Sequence, residues 1–169
     1  MTTIFEFIDS TALEDTVIKN CPKYRVKFLN IIDKAGVGDS DTTDKEALKI
    51  IRGTRSWNWA AFLFNHHWAI YRKENLLGWG VFTFIWFLSI IAIWVPSFHT
   101  FANPVDFIWL CAAVLTGLYA NSFVLRNSIK IVENTTSLKD REQRSPIGLA
   151  SAIVIDIVLI GISYAIVSQ

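Results

Sequence analysis

Three long apolar runs dominate the second half of the chain. Residues 76–95 carry no charge, residues 107–125 are slightly more polar, and residues 147–167 contain one acid, Asp156. A transmembrane helix needs roughly 20 consecutive apolar residues, because each adds about 1.5 Å across about 30 Å of hydrocarbon. With their flanking residues, the runs predict transmembrane helices over residues 76–96, 106–126 and 146–168.

A shorter apolar stretch, residues 57–71, precedes these runs and is interrupted by two asparagines and two histidines. Its length suits a re-entrant or interfacial segment better than a complete span. Nine basic residues precede it, and Arg72 and Lys73 follow directly. Because basic residues accumulate on the cytoplasmic side, both ends are predicted to be cytoplasmic, and the segment is predicted to dip into the membrane without crossing.

The remaining charges agree with this topology. Residues 96–105 contain no Lys or Arg, whereas residues 126–145 contain five of the sixteen in the chain. The bias predicts a multi-pass protein with a cytoplasmic N-terminus and an outside C-terminus. The formal net charge is only +1, so no overall field favours nucleic acid as a partner.

Residues 1–55 have the composition of a soluble segment. Apolar residues at helical spacing predict three short amphipathic helices, and Thr43-Asp-Lys-Glu46 is a capping-box pattern at the start of the third. Their apolar faces are too few to form a core at this length, so we expect them to pack on one another and on the membrane surface or a partner.

These elements define the predicted fold class, an all-α integral membrane protein. It has three transmembrane helices, one short re-entrant or interfacial helix, and an N-terminal cytoplasmic helical segment. The cytoplasmic segment covers residues 1–55 and the membrane domain covers residues 56–169.

Asp156 is the only Asp, Glu, Lys, Arg or His within the three apolar runs. A carboxylate at the bilayer centre costs about 2.5–3.5 kcal/mol on insertion scales, and intramembrane acids are functional candidates. Gly148 and Ala152 precede it at steps of four residues, and small residues at that spacing permit close helix contact. A neutral or hydrogen-bonded carboxyl that joins helices is the first interpretation. A proton or cation relay site is the alternative.

Counting residues inward from the two membrane surfaces gives the depth of each residue and places other residues at a depth similar to that of Asp156. Trp86 of the first span and Thr116 of the second lie at its depth, and Asn121 lies about one turn closer to the cytoplasm. Polar groups there can join helices, and small residues let helices approach. The predicted intramembrane interaction residues are Asp156, Asn121, Thr116, Gly148, Ala152 and Gly117.

His66 and His67 are the candidate metal ligands, with His99 as a possible third. Adjacent side chains on a helix point about 100° apart, and His99 is predicted on the opposite side of the membrane. A zinc site needs a third ligand, so we expect no metal and no cofactor. Phosphate loops, nucleophile elbows and paired carboxylates are not visible either, so we do not expect an enzyme.

Aromatic and basic residues border the stretch 57–71. Indole rings favour the membrane interface, where the ring is dry and the N–H is wet, and Lys and Arg reach the phosphate headgroups. The predicted interfacial anchors are Trp57, Trp59, Trp68, Arg72 and Lys73.

Two blocks of this domain resemble a bacterial family. The first is Ser56-Trp-Asn-Trp-Ala-Ala-Phe-Leu-Phe64 with Trp68 and Tyr71-Arg-Lys73, and the second is Gly117-Leu-Tyr-Ala-Asn121 with Leu125-Arg126. They resemble the membrane family catalogued as domain of unknown function 2628, over residues 56–130. Asn65-His66 stand where such proteins tend to have Gly or Pro. The resemblance implies a bacterial inner-membrane location and no particular activity.

Two functional hypotheses follow. The first is a non-enzymatic accessory or scaffold protein that assembles with other membrane proteins, or with itself, through its helix faces and cytoplasmic segment. The alternative is a subunit of an oligomeric channel or transporter in which Asp156 lines the pathway, since three spans cannot easily enclose one. A membrane stress sensor using Cys21 or the histidines is a third, weaker hypothesis. The lipid bilayer is a partner in each case.

Overall fold

The computed structural model describes residues 2–17, 21–94, 104–134 and 144–167. In these ranges the chain is helical, with one isolated β-bridge between Thr3 and Asp41. The helices are α1 Ile4–Asp9, α2 Thr11–Val17, α3 Cys21–Ala35, α4 Lys45–Gly53, α5 Trp59–Tyr71, α6 Asn75–Trp94, α7 Pro104–Asn134 and α8 Pro146–Val167. Most of the predicted outer loop, with His99, and residues 135–143 of the predicted cytoplasmic loop lie outside the described residues.

The chain divides into two compact units. The N-terminal unit holds Met1–Asn58 and the part of α7 from Gly117 onward. The membrane unit holds Trp59–Thr116 and the chain from Arg144 onward. Helix α7 therefore contributes its first half to one unit and its second half to the other.

Two helices among the described residues are long and apolar enough to cross a membrane, Asp106–Asn134 and Pro146–Ile166. A third span is present if Trp59–Tyr71 and Asn75–Ile91, which are bent by 117° at their junction, count as one broken span. The all-α class with two to three candidate spans is confirmed.

Helix α7 is longer than the sequence predicts. It continues past residue 126, where the predicted span ends, as far as Asn134. Leu125 and Ile129, one turn apart, are both fully buried. Packing of this face within the N-terminal unit stabilises the helix after the apolar run has ended, which hydropathy alone does not reveal.

The N-terminal unit has a buried apolar core, and its short helices pack on one another around it. Helix α1, which the sequence analysis did not predict, is closed by a capping box between Thr3 and Glu6, with the Thr3 amide 2.8 Å from the Glu6 carboxylate. The fully buried side chains include Ile4, Ile8, Leu13, Val17, Phe28, Ile31, Ile32 and Ile51. Helix α1 adds Ile4 and Ile8 to this core, and the second half of α7 belongs to the same unit.

Helix α4 begins one residue later than its sequence pattern indicates. Asp44, not Thr43, is the N-cap, and its carboxylate accepts from the Glu46 amide at 2.9 Å and the Ala47 amide at 3.3 Å. A carboxylate at this position also interacts favourably with the positive end of the helix dipole. The charged cap therefore replaces the predicted capping box.

The membrane unit is built around α5, which contacts both α6 and α8. The chain turns between α5 and α6 at Lys73, whose φ is +58°. At this turn Gly78 of α6 lies against Ile70 of α5, and a Cβ on Gly78 would come within 2.7 Å of the Ile70 backbone nitrogen. The absence of a side chain at Gly78 lets the two helices meet this closely.

Gly78→Ala is expected to destabilise the full-length protein by about 1–3 kcal/mol, because the added methyl group meets backbone that cannot rotate away. Gly80→Ala, in the same helix, is the matched control, since a Cβ on Gly80 would have no atom of the described residues within 4 Å. Unfolding in mixed detergent micelles measures both variants. Equal stability of the two would contradict the close approach.

Candidate functional site

Three ionisable side chains meet in the membrane unit, His66 and His67 of α5 and Asp156 of α8. Nε2 of His67 lies 2.8 Å from Oδ2 of Asp156, and Nε2 of His66 lies 3.7 Å from the same oxygen. On the other side of the carboxylate, Trp86 of α6 donates its indole N–H to Oδ1 at 2.7 Å. We call His66, His67 and Asp156 the His–Asp cluster.

A break in α5 allows both histidines to face Asp156. Asn65, directly before them, has φ +39° and ψ −113°, a conformation outside the helical region. The two imidazole rings are then only 4.2 Å apart between centroids, with an angle of 35° between their planes. The expectation that adjacent histidines point about 100° apart assumed an unbroken helix, and the break at Asn65 invalidates it.

Thr116 supports the break from α7. Its hydroxyl lies 2.9 Å from the side-chain oxygen of Asn65, which is buried. The sequence places Thr116 at the depth of Asp156, but in the structure Thr116 bonds to Asn65, the residue at the break in α5. Only Trp86, of the residues predicted at that depth, contacts Asp156 itself.

The cluster has unused hydrogen-bonding capacity. Both ring nitrogens of His66 are buried, and neither has a hydrogen-bond partner among the described residues. Nε2 of His67 is 2.8 Å from Oδ2 of Asp156, but the pair does not form a hydrogen bond of regular geometry. Buried polar atoms normally have a partner, so unpaired nitrogens facing one carboxylate oxygen indicate a site for a further atom.

The geometry suits a divalent transition-metal ion. One ligand atom from each member of the cluster lies within 4.8 Å of the others. A tetrahedral zinc ion with bonds of about 2 Å separates its ligand atoms by about 3.3 Å, and the two distances to Oδ2 of Asp156 fall on either side of that value. Two imidazoles and one carboxylate are a donor set for Zn²⁺ or Fe²⁺, and three protein ligands leave a position open.

Trp86 orients the carboxylate for such a role. Its indole N–H donates a hydrogen bond to Oδ1 of Asp156, and Oδ2 is the oxygen directed towards the histidines. Hydrogen bonds of this kind fix ligand orientation and commonly contribute strongly to metal affinity. Phe82, whose ring is 5.4 Å from that of His66 in an edge-to-face arrangement, adds an apolar wall.

A cavity of about 500 Å³ gives access to the cluster. Its wall is almost entirely apolar and includes the side chain of His67. The other lining residues are Phe64, Trp68, Tyr71, Leu149 and Ile153. An ion or a small ligand in this cavity would reach the cluster through His67.

The small residues predicted near Asp156 do bring α8 against another helix. Ala152 is fully buried, and a Cβ on Gly148 would lie 3.3 Å from the side chain of Ile70 in α5. Because α5 carries the histidines, this contact is what brings Asp156 to them. The sequence identified the packing face of α8 without identifying the helix on which it packs.

Asn121 and Gly117 belong to a different network, within the N-terminal unit. Asn121 accepts from the Asn58 side chain at 2.8 Å and donates towards the backbone oxygens of Ser56 and Trp57 at 3.2 and 3.1 Å. The carbonyl of Gly117 accepts from the Asn58 amide at 2.8 Å. These residues join α7 to the extended segment 54–58, so their predicted role between transmembrane helices is corrected to a role in holding this linker.

The predicted interfacial anchors separate into two groups. Trp59 is 67% exposed and Lys73 is also exposed, as anchors should be, and Trp57 is partly buried. Trp68 and Arg72 are only 6% and 7% exposed. These two side chains pack inside the protein, so the expectation that they reach the headgroups is corrected.

No family model, curated protein or solved structure matches this chain. The resemblance to domain of unknown function 2628 therefore stays a prediction. The functional conclusion depends on the geometry of the site.

The His–Asp cluster is absent from the sequence prediction, in which His99 is the candidate third ligand. Two signals could have found the cluster. The acid in the last apolar run lacks a basic partner within the three runs, and the histidine pair lacks an acidic partner in its own segment. Pairing these two unsatisfied features would have predicted the contact between α5 and α8.

Proposed function

We propose that this chain is a small integral membrane protein that binds a divalent transition-metal ion through His66, His67 and Asp156. The supporting observation is that both nitrogens of His66 are buried and without a hydrogen-bond partner among the described residues. A buried polar group without a partner costs free energy. A metal ion would bond one nitrogen and interact favourably with the charge of Asp156.

The location and cellular role that we propose follow the sequence. The protein is a multi-pass protein of the bacterial inner membrane, with its N-terminus in the cytoplasm and its C-terminus outside. It acts without catalysis as an accessory or scaffold for partner membrane proteins. Helix α8 supports this role, because only 6% of its apolar stretch is buried within the chain, which leaves its surface for lipid and partner helices.

A channel or transporter subunit is the second candidate. It is favoured by one observation, that Asp156 has two histidines within 4 Å and so forms a group of three ionisable side chains. These groups form one cluster and not a series along a path, which favours binding over conduction. Purified protein in liposomes should therefore show no ion flux, and protein extracted gently from native membranes should retain a partner in fixed stoichiometry.

Cobalt(II) binding tests the metal proposal. Full-length protein, first stripped with a chelator, is expected to bind one Co²⁺ per chain with a visible d–d spectrum and no thiolate charge-transfer band. His66→Ala removes a direct ligand, so it should weaken binding by more than the roughly 10–100-fold loss typical of outer partners.

Cys111→Ser is the control for adventitious binding, since Cys111 is an exposed free thiol. It should leave cobalt affinity and spectrum unchanged. Binding that survives His66→Ala but disappears in Cys111→Ser would overturn the assignment.

A further inference from the structure

A basic groove lies on the N-terminal unit, between α3 and the linker 54–58. It has a volume of about 420 Å³. Three cationic side chains line it, Lys27 and Lys34 of α3 and Arg55 of the linker, and none of its described lining residues is acidic. Three positive charges around one concave surface form a site for an anion.

Helix α3 presents its cations at helical spacing. Lys27, Asn30 and Lys34 follow one another at steps of three and four residues, so they lie on one face and line the same groove. Burial, and secondarily the charge of Lys23, lowers the pKa of Lys27. An anion in the groove would stabilise the protonated form of Lys27 and offset both effects.

Arg55 is held in position by the second half of α7. Its Nε lies 3.3 Å from the hydroxyl oxygen of Tyr119. This contact uses Nε, and no hydrogen bond joins the two terminal nitrogens of Arg55 to the described residues, so their N–H groups remain available. A guanidinium in this state binds phosphate oxygens with two parallel hydrogen bonds.

One side of the groove is apolar. Trp57, Leu118 and Val26 line it, and Val26 is 69% exposed although it is aliphatic. Trp57 lies two residues before α5, the first helix of the membrane unit. A ligand that combines a phosphate with hydrocarbon fits both sides of the groove, whereas free phosphate fits only one.

We propose that this groove binds the phosphate headgroup of an anionic phospholipid, with Lys27, Lys34 and Arg55 on the phosphate and Trp57 and Leu118 against the glycerol and upper acyl region. The site is independent of the His–Asp cluster and of any metal. It ties the N-terminal unit to the lipid surface, as basic residues near anionic leaflets commonly do.

Native mass spectrometry of the full-length protein in detergent tests this proposal. The probes are phosphatidylglycerol, phosphatidylcholine and inorganic phosphate. Phosphatidylglycerol should bind, and Lys34→Gln or Arg55→Gln should weaken its binding about fivefold each. The double variant should weaken it roughly 30-fold, since each basic residue near an anionic surface contributes comparably.

Lys45→Gln is the matched control, because it removes the same charge from an exposed position in α4 outside the groove. It should leave lipid binding unchanged. An equal loss in Lys45→Gln would show a general charge effect and overturn the site. Inorganic phosphate that binds as tightly as phosphatidylglycerol, or phosphatidylcholine that binds equally well, would also overturn it. Circular dichroism of each variant checks that the helices are intact.

Discussion

Asp156→Asn is expected to lower the affinity for Co²⁺ at least about 100-fold while the helices stay folded. Asparagine keeps the size of the side chain and can still accept the hydrogen bond from Trp86. It removes the anionic oxygen that both histidines face, 2.8 and 3.7 Å away. A neutral amide oxygen is a much weaker ligand for a divalent ion, and the opposing charge in a dry site is lost with it.

Two further variants show whether the effect belongs to the cluster. Trp86→Phe removes only the hydrogen bond that orients the carboxylate, so it should weaken binding roughly 10-fold. Asp106→Asn makes the same substitution at an exposed acid in the first turn of α7 and should change nothing. Isothermal titration and the cobalt spectrum measure all three. Binding by Asp156→Asn at the wild-type affinity would exclude the proposed site.

Asp156→Asn also shows whether metal binding is required for the accessory role. If Asp156→Asn loses cobalt but still co-purifies with its partner, the metal is not needed for assembly. If both are lost together, the ion organises the membrane unit that the partner recognises. Ion flux in liposomes that depends on Asp156 would instead favour the channel or transporter.

Asn121→Leu is expected to destabilise the N-terminal unit by about 3–5 kcal/mol. Asn121 is fully buried, and its amide joins the Asn58 side chain to the backbone oxygens of Ser56 and Trp57. Leucine fills a similar volume but bonds to none of them. Each buried polar group left without a partner costs about 1–3 kcal/mol, and several are affected at once.

Asn134→Leu is the control for Asn121→Leu. It lies in the same helix and is exposed, and among the described residues its side chain bonds to the Lys130 carbonyl one turn earlier. Its effect should stay within about 0.5 kcal/mol. Denaturant unfolding gives the free energies, and limited proteolysis reports release of the linker 54–58. Similar losses in both variants, or a protected linker in Asn121→Leu, would contradict the network.

The linker 54–58 is non-helical backbone beside an apolar helix, so its polar backbone groups need hydrogen-bond partners. Its residues Ser56 and Asn58 donate their amides to the carbonyls of Leu118 and Gly117 at 2.8 Å each. Non-helical backbone close to a membrane is stable only when protein groups complete its hydrogen bonds. The linker thus depends on α7, which explains why a polar residue, Asn121, stands in an otherwise apolar run.

Several features could be predicted from the sequence because they depend on local or one-dimensional properties. Long uncharged runs indicate helices that can cross a membrane, and small residues at four-residue steps in α8 indicate a packing face. The depth count paired Trp86 with Asp156, because depth in a bilayer is a coordinate that residue number approximates. The end of α7 could not be predicted, since buried Leu125 and Ile129 extend it where hydropathy falls.

The sequence by itself therefore determined the helical class, the candidate spans and the acid within one of them, because each follows from composition and periodicity along a single element. Only the tertiary structure decided what Asp156 faces. Its neighbours His66 and His67 lie some 90 residues earlier in the chain, and two events bring them together: the break at Asn65, and the packing of α8 on α5 at Gly148 and Ala152. Neither event follows from helical periodicity. The break at Asn65 departs from that periodicity, and the packing of α8 on α5 depends on which helix lies next to α8.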